Sequence, residues 1–194
     1  MLIFACTALI VFGVRGAGSF LTVNDPVDNG ALVVEGWLPD YALQQAITEF
    51  ERDHYSRIYV TGGPLENGGP LSEYRTFAEL GAATLIRLGL ITNAVQAVPA
   101  PAVRVDRTYA SAVALKNWLH TNGSVETNFN VISFGVHSRR SRLLFEKALD
   151  KGCRVGIIAI EDRDYDSGRW WKSSAGVRTV IDEMIAYWYA RLSC

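Results

Sequence analysis

Five short apolar runs recur along the chain, each followed by a stretch with helical spacing. They are Ala31–Val34, Ile58–Thr61, Ala94–Val98, Asn130–Phe134 and Val155–Ile160. Runs this short, without polar alternation, suit strands covered on both faces, as in a parallel sheet. Glycine or proline stops four of them, at Gly36, Gly62-Gly63, Pro99 and Gly135. The first helix follows Pro39-Asp40 and carries Ala42, Ala46, Ile47 and Phe50. Ser72 reads as the cap of a second helix bearing Tyr74, Phe77, Ala78, Gly81, Leu85 and Leu88. Thr108 reads as the cap of a third, with Ala112, Leu115 and Leu119, closed by Asn122-Gly123. A fourth begins at Ser138. The last, roughly 170–192, places Val177, Ile181, Met184, Ile185, Trp188 and Leu192 on one face. Strand then helix, five times over, predicts an α/β fold. The expected form is a Rossmann-like three-layer sandwich on a five-stranded, mostly parallel sheet.

At 194 residues the chain suits one core-building domain. Residues 31–194 form that domain, and the turn-rich stretch 22–30 reads as a linker. Residues 1–21 are set apart. The first 14 carry no charge and reach only about 21 Å as a helix, against about 30 Å for a bilayer core. Continued past Arg15 to Leu21, the helix is long enough for a single-pass membrane anchor. A cleaved signal lacks the usual basic lead-in, and a buried first helix is the third reading. Arg15 alone says little about which side of the membrane the domain faces.

A net charge of -1 gives no field for nucleic acid, so any anion site is local. The three cysteines, Cys6, Cys153 and Cys194, are too scattered for a metal motif or disulfide framework. No Gly-x-Gly-x-x-Gly or Walker lysine motif marks a strand end, so no cofactor is named. The stretch from Val131 to Phe145 stands out. His137, Arg139, Arg140 and Arg142 crowd a helix start, where acidic residues are favoured. Arg140 shares a four-residue spacing with Leu144 and Ala148, which turns it inward. Arg142 is spaced to pair with Glu146, and Arg139 and Arg142 read as surface residues. His54 and His120 also read as surface residues. The acidic loop 161–166 reads as solvated, and Trp170-Trp171 as anchors of the covering helix.

The ordered set Val33-Val34-Glu35-Gly36, Thr61-Gly62-Gly63, Ser72-Glu73, Arg107-Thr108 and His137 with Arg140 and Phe145 resembles the YdcF-like family of bacterial envelope-associated proteins. The resemblance covers roughly residues 31–160. It departs at Trp37, where the family pairs a second glycine, and at Ala110-Ser111, where it carries Glu-Asn. It implies a Rossmann-like fold, a strand order of 3-2-1-4-5, a place at the plasma membrane, and no agreed reaction.

That order brings the quoted strand ends to the switch point between strands one and four, where open α/β sheets bind ligands. His137 is then the acid/base candidate because its pKa lies near neutrality, with Glu35 and Glu73 as carboxylate partners. Gly36, Gly62, Gly63, Ser72, Arg107, Thr108, Ser138 and Arg140 are candidate ligand contacts, through close backbone approach and helix-start N–H groups. No metal is expected, since Glu35, Glu73 and His137 lack paired ligand spacing. The expected partner is an anionic small molecule or lipid-linked ligand, such as a phosphorylated or nucleotide-like intermediate, bound and possibly acted on. A non-catalytic sensing or scaffold domain is the second reading. A nucleotide- or S-adenosylmethionine-binding enzyme, argued from fold analogy alone, is the third.

Overall fold

The computed structural model describes residue 13 and residues 15–52 and 55–193. Strands β1 (Gly30–Glu35), β2 (Tyr55–Gly62), β3 (Val95–Pro99), β4 (Asn128–Phe134) and β5 (Arg154–Ile160) form one parallel sheet. Its order is β3-β2-β1-β4-β5, as expected. Helices α1 (Asp40–Arg52), α2 (Phe77–Arg87), α3 (Arg107–Thr121), α4 (Ser138–Ala148) and α5 (Ser174–Ser193) alternate with the strands. Proline at the end of β3 is tolerated because that strand lies at the sheet's edge.

The continuous apolar runs exist because both sheet faces are covered. Leu32, Val34, Ile58, Val60, Ile132 and Ile158 pack against Ala42, Ala46 and Ile47 of α1 and Leu85 of α2. Ala31, Val33, Tyr59, Val131 and Ile157 pack the other way, against Ala112 and Leu115 of α3 and Phe145 of α4. Phe145 and Phe129 are fully buried, each worth roughly 1.5–3 kcal/mol of transfer free energy. A third cluster of Leu21, Val136, Tyr165, Trp170 and Val180 seats α5 beside the end of β4. Trp170 anchors it as expected, and Cys153 packs against the second cluster.

Several boundaries differ from the sequence reading. Ser72 does not cap α2. Residues Gly69–Leu71 form a 3-10 turn, and the Ser72 hydroxyl accepts from Tyr74 N instead. The cap is Thr76, whose side chain accepts from Glu79 N while Glu79 accepts from Thr76 N, a reciprocal box. Thr108 does not cap α3 either. That helix starts at Arg107, two residues earlier than a Thr108 cap implies, after Asp106 at φ 56 with no side-chain cap. Helix α5 begins at Ser174, preceded by a 3-10 segment over Ser167–Lys172.

The expected inward face of α5 is corrected in part. Ile181, Ile185, Trp188 and Leu192 are exposed, while Gly176, Val180 and Ala190 are buried. The reason is close approach: a Cβ at Gly176 would lie 2.4 Å from Trp170 O. Val177 and Met184 of the expected face do pack inward, with Tyr187, while Ile181, Ile185, Trp188 and Leu192 turn out.

The turn-rich stretch 22–30 is docked rather than free. Asp25 forms an antiparallel bridge to Ile157 through hydrogen bonds of 2.8 and 3.1 Å. Val27 exchanges two hydrogen bonds with the buried Asn130 side chain. Residues 15–21 are helical, and Leu21 is fully buried. Most of the expected membrane segment falls on residues 1–12 and 14, outside the described residues, as do His54, Cys6 and Cys194. No helix among the described residues is long and apolar enough to cross a membrane.

Candidate functional site

Strand β1 ends in Glu35, and β4, its neighbour at the switch point, runs through Ser133 to a 3-10 turn at Gly135–His137 that leads into α4. Gly135 makes that turn at φ +45, a conformation that side chains rarely adopt. These elements bring Glu35, Ser133, His137, Arg140 and Ser141 together. A sixth residue, Glu183, arrives from α5.

Glu35 is 3% exposed and accepts hydrogen bonds from Ser133 Oγ at 2.5 Å and Ser141 Oγ at 3.0 Å. His137 Nε2 lies 3.5 Å from Glu35 Oε1. That is an electrostatic contact beyond good hydrogen-bond length, so the buried Nε2 has no hydrogen-bond partner. On the other side of the ring, His137 Nδ1 is 2.8 Å from Glu183 Oε1. Arg140 clamps the same carboxylate twice, with Nε to Oε2 and Nη2 to Oε1, both at 2.9 Å. Thr61 Oγ1, in register with Glu35 on β2, is likewise buried without a partner.

The charges decide the protonation. Burial disfavours the imidazolium, but Glu35 and Glu183 on either side outweigh it and raise His137 to about 9. Burial would raise Glu183 too, but Arg140 and His137 pull it down to about 2. At neutral pH the ring is an imidazolium, with Nδ1–H donating to Glu183. Arg140 Nη2, 2.9 Å from Nδ1, is then a neighbouring cation. It becomes a donor to Nδ1 only when the ring loses its Nδ1 proton. Below about pH 9 His137 is therefore protonated and can only donate hydrogen bonds.

Trp37 covers one side of this corner. Its ring meets His137 edge-on at 5.4 Å and Phe134 at 6.3 Å. Tyr41 packs against Phe134, and Arg163 lies 4.0 Å over the Tyr41 ring. The acidic loop 161–166 is partly buried, contrary to its reading as solvated. Asp162 is 8% exposed and accepts from Asp164 N. Tyr165 is pushed up to about 12 by burial and by the nearby Asp162 and Glu183 charges.

The other expected site residues have different work. A Cβ at Gly36 would sit 2.2 Å from Phe77 O, and one at Gly62 2.7 Å from Phe77 Cβ. These glycines admit the start of α2 rather than a ligand. Gly63 has open space, with Pro101 O at 3.8 Å. The buried Ser138 hydroxyl accepts from Val23 N at 2.9 Å and donates to Leu21 O at 3.3 Å, which ties down the N-terminal segment. Arg139 donates to Phe20 O and stacks 4.2 Å over the Phe20 ring. Arg142 pairs with Asp25 and, as its spacing predicts, with Glu146. Ser72 is half-buried and Glu73 is exposed, bonded to Tyr74. Arg107 is an exposed partner of Glu66. Thr108, the residue after it in the first turn of α3, has no described contact with the corner. His120 sits at the surface and shares Asp150 with Lys116.

Glu183, Ser133 and Ser141 are absent from the sequence reading. Glu183 shares the inward stripe Gly176, Val180, Tyr187, Ala190 at steps of three and four, a carboxylate among small or aromatic residues. Ser133 interrupts an apolar run, and Ser141 lies four after His137 on one helix face. Among the described residues, no cluster of three or more His, Cys, Asp or Glu side chains is arranged to hold a metal ion. A groove of about 580 Å³ lies elsewhere, between β3 and α3, walled by Val98, Pro99, Tyr109, Val113 and Trp118. Its walls carry no charged side chain, so the charged corner remains the candidate. No family model and no curated protein sequence matches this chain.

Proposed function

We propose that this chain is a YdcF-like domain at the bacterial plasma membrane. It binds a phosphorylated or nucleotide-like intermediate of envelope biogenesis at the His137–Arg140 corner. The observation that carries the reading is two cationic groups 2.9 Å apart at the β1/β4 switch point, the place where open sheets take ligands. A fixed imidazolium and a planar guanidinium suit phosphate oxygens. His137 is the proton donor and Arg140 the clamp. Glu35, saturated by Ser133 and Ser141, keeps His137 charged. Trp37 offers an aromatic wall for a ring attached to the anion.

A non-catalytic sensing or scaffold role is favoured by one observation. Gly36, Gly62 and Ser138 serve packing and tethering, and Arg140 is already paired with Glu183. Release of phosphate from a phospho-substrate by the purified protein would exclude it.

The test of binding is calorimetric titration of the full chain with inorganic pyrophosphate and with uridine diphosphate. Saturable binding of at least one is expected, weakened roughly tenfold or more in Arg140→Gln and in His137→Gln. Absence of binding to both probes, or equal affinity in both variants, would refute the reading.

A further inference from the structure

The outer face of α5 carries a stripe that is exposed among the described residues. Ile181, Ile185, Trp188 and Leu192 follow one another at steps of four, three and four, so they share one helix face. They are 47%, 65%, 50% and 81% exposed, and Tyr189 beside them is also exposed. From Ile181 to Leu192 the stripe runs about 16 Å. Isolated apolar residues on a surface are ordinary, but a continuous stripe marks a contact surface.

We infer that this face of α5 lies along an anionic lipid surface. Three observations choose lipid over other occupants. First, the exposed charges around the stripe are mostly basic: Lys172, Arg178 and Arg191 against Asp182. That matches anionic headgroups. Second, the stripe mixes aliphatic residues with Trp188 and Tyr189, whose rings suit the boundary between headgroups and chains. Third, the uncharged stretch 1–12 joins the chain beside this helix. The helical segment 15–21 packs on α5 and the turn before it, with Phe20 against Tyr187 at 5.5 Å and Arg15 over Trp171 at 5.2 Å. The described segment that leads in from that stretch thus lies against this layer of the domain. The inference stands apart from the His137–Arg140 reading and survives its failure.

The test uses the full chain with vesicles of phosphatidylcholine, with and without phosphatidylglycerol. Because the uncharged N-terminal stretch can itself hold the chain on a vesicle, the readout is local to the stripe. It is quenching by brominated-chain lipid of the Trp188 emission, taken as the difference between the wild-type chain and Trp188→Phe. Strong quenching of that component is expected, increasing with phosphatidylglycerol. Ile185→Asp and Leu192→Asp, both at exposed positions, should each reduce the lipid quenching of the Trp188 component severalfold without changing the thermal melt. An unquenched Trp188 on vesicle-bound chain would overturn the inference. So would stripe variants in which Trp188 is quenched as in the wild type. Sedimentation as a dimer that Ile185→Asp dissociates would assign the face to a second copy and overturn it as well. Protection of Trp188 in a vesicle-free monomer would assign it to the chain's own N-terminal stretch, with the same consequence.

Discussion

Replacing Glu183 with glutamine keeps the shape of the side chain and removes the charge that binds α5 to the switch point. The Glu183 side chain is 15% exposed, and those of His137 and Arg140 are 13% and 19% exposed, so solvent screening is modest. Holding Glu183 at about 2 instead of 4.5 corresponds to a ceiling of about 3 kcal/mol at neutral pH. Breaking a buried pair by removing one partner costs a similar amount, about 3–5 kcal/mol. The amide oxygen of glutamine still accepts from Arg140, so about 2–3 kcal/mol is expected. The rise of His137 to about 9 comes first from Glu35 and then from Glu183, and its Glu183 share is the same interaction seen from the partner, so it is not added. The sign with pH follows from the directions. The His137 contribution is complete below its ordinary value of 6.5 and is lost as pH rises through about 9. The Glu183 contribution is complete above 4.5 and is lost as pH falls toward about 2. Urea unfolding followed by circular dichroism, at about pH 5.5 and about pH 9.5, reads both effects. The variant should be destabilised most at the lower pH, and the gap should narrow at the higher. A loss below about 1 kcal/mol at the lower pH, or an equal loss at both, would refute a buried ion network and leave a screened surface contact.

Other consequences are local. Gly36→Ala places a methyl group 2.2 Å from Phe77 O, so chemical denaturation should show a loss of about 3 kcal/mol or more, from a forced shift of α2. Ser138→Ala leaves Val23 N without its acceptor. It should cost about 1–2 kcal/mol, and faster amide exchange at Val23 should accompany it while the β1 amides keep their protection. Thr76→Ala removes the α2 cap and should cost about 1 kcal/mol in a thermal melt, whereas Ser72→Ala should leave α2 unaffected.

The sheet is legible because its physics is local. Ala31–Val34 and Val155–Ile160 are apolar throughout because both faces are covered, and that pattern survives without knowing the partners. Helix starts were less legible. Ser72 and Thr76 are both good caps, and the choice falls to Glu79, which answers Thr76 at the right spacing. Half of the charged corner was visible, since Glu35, His137 and Arg140 stand at strand ends and helix starts. Glu183 was not. Its role depends on α5 turning its small residues inward, and that follows from the approach of Gly176 to Trp170, a contact absent from helical periodicity. The strand-end glycines misled for a related reason. A sequence marks where the backbone comes close to something, but not whether that something is a ligand or, as at Gly36 and Gly62, the residue Phe77.

The central claim is that two carboxylates, one ending the first strand and one from the last helix, hold His137 as an imidazolium at the switch point. A nitrogen-15 NMR titration of the His137 side chain tests it most directly. Both ring nitrogens should be protonated at pH 7, with a midpoint at about 9. A midpoint near the ordinary value of about 6.5, or a neutral ring at pH 7, would contradict it.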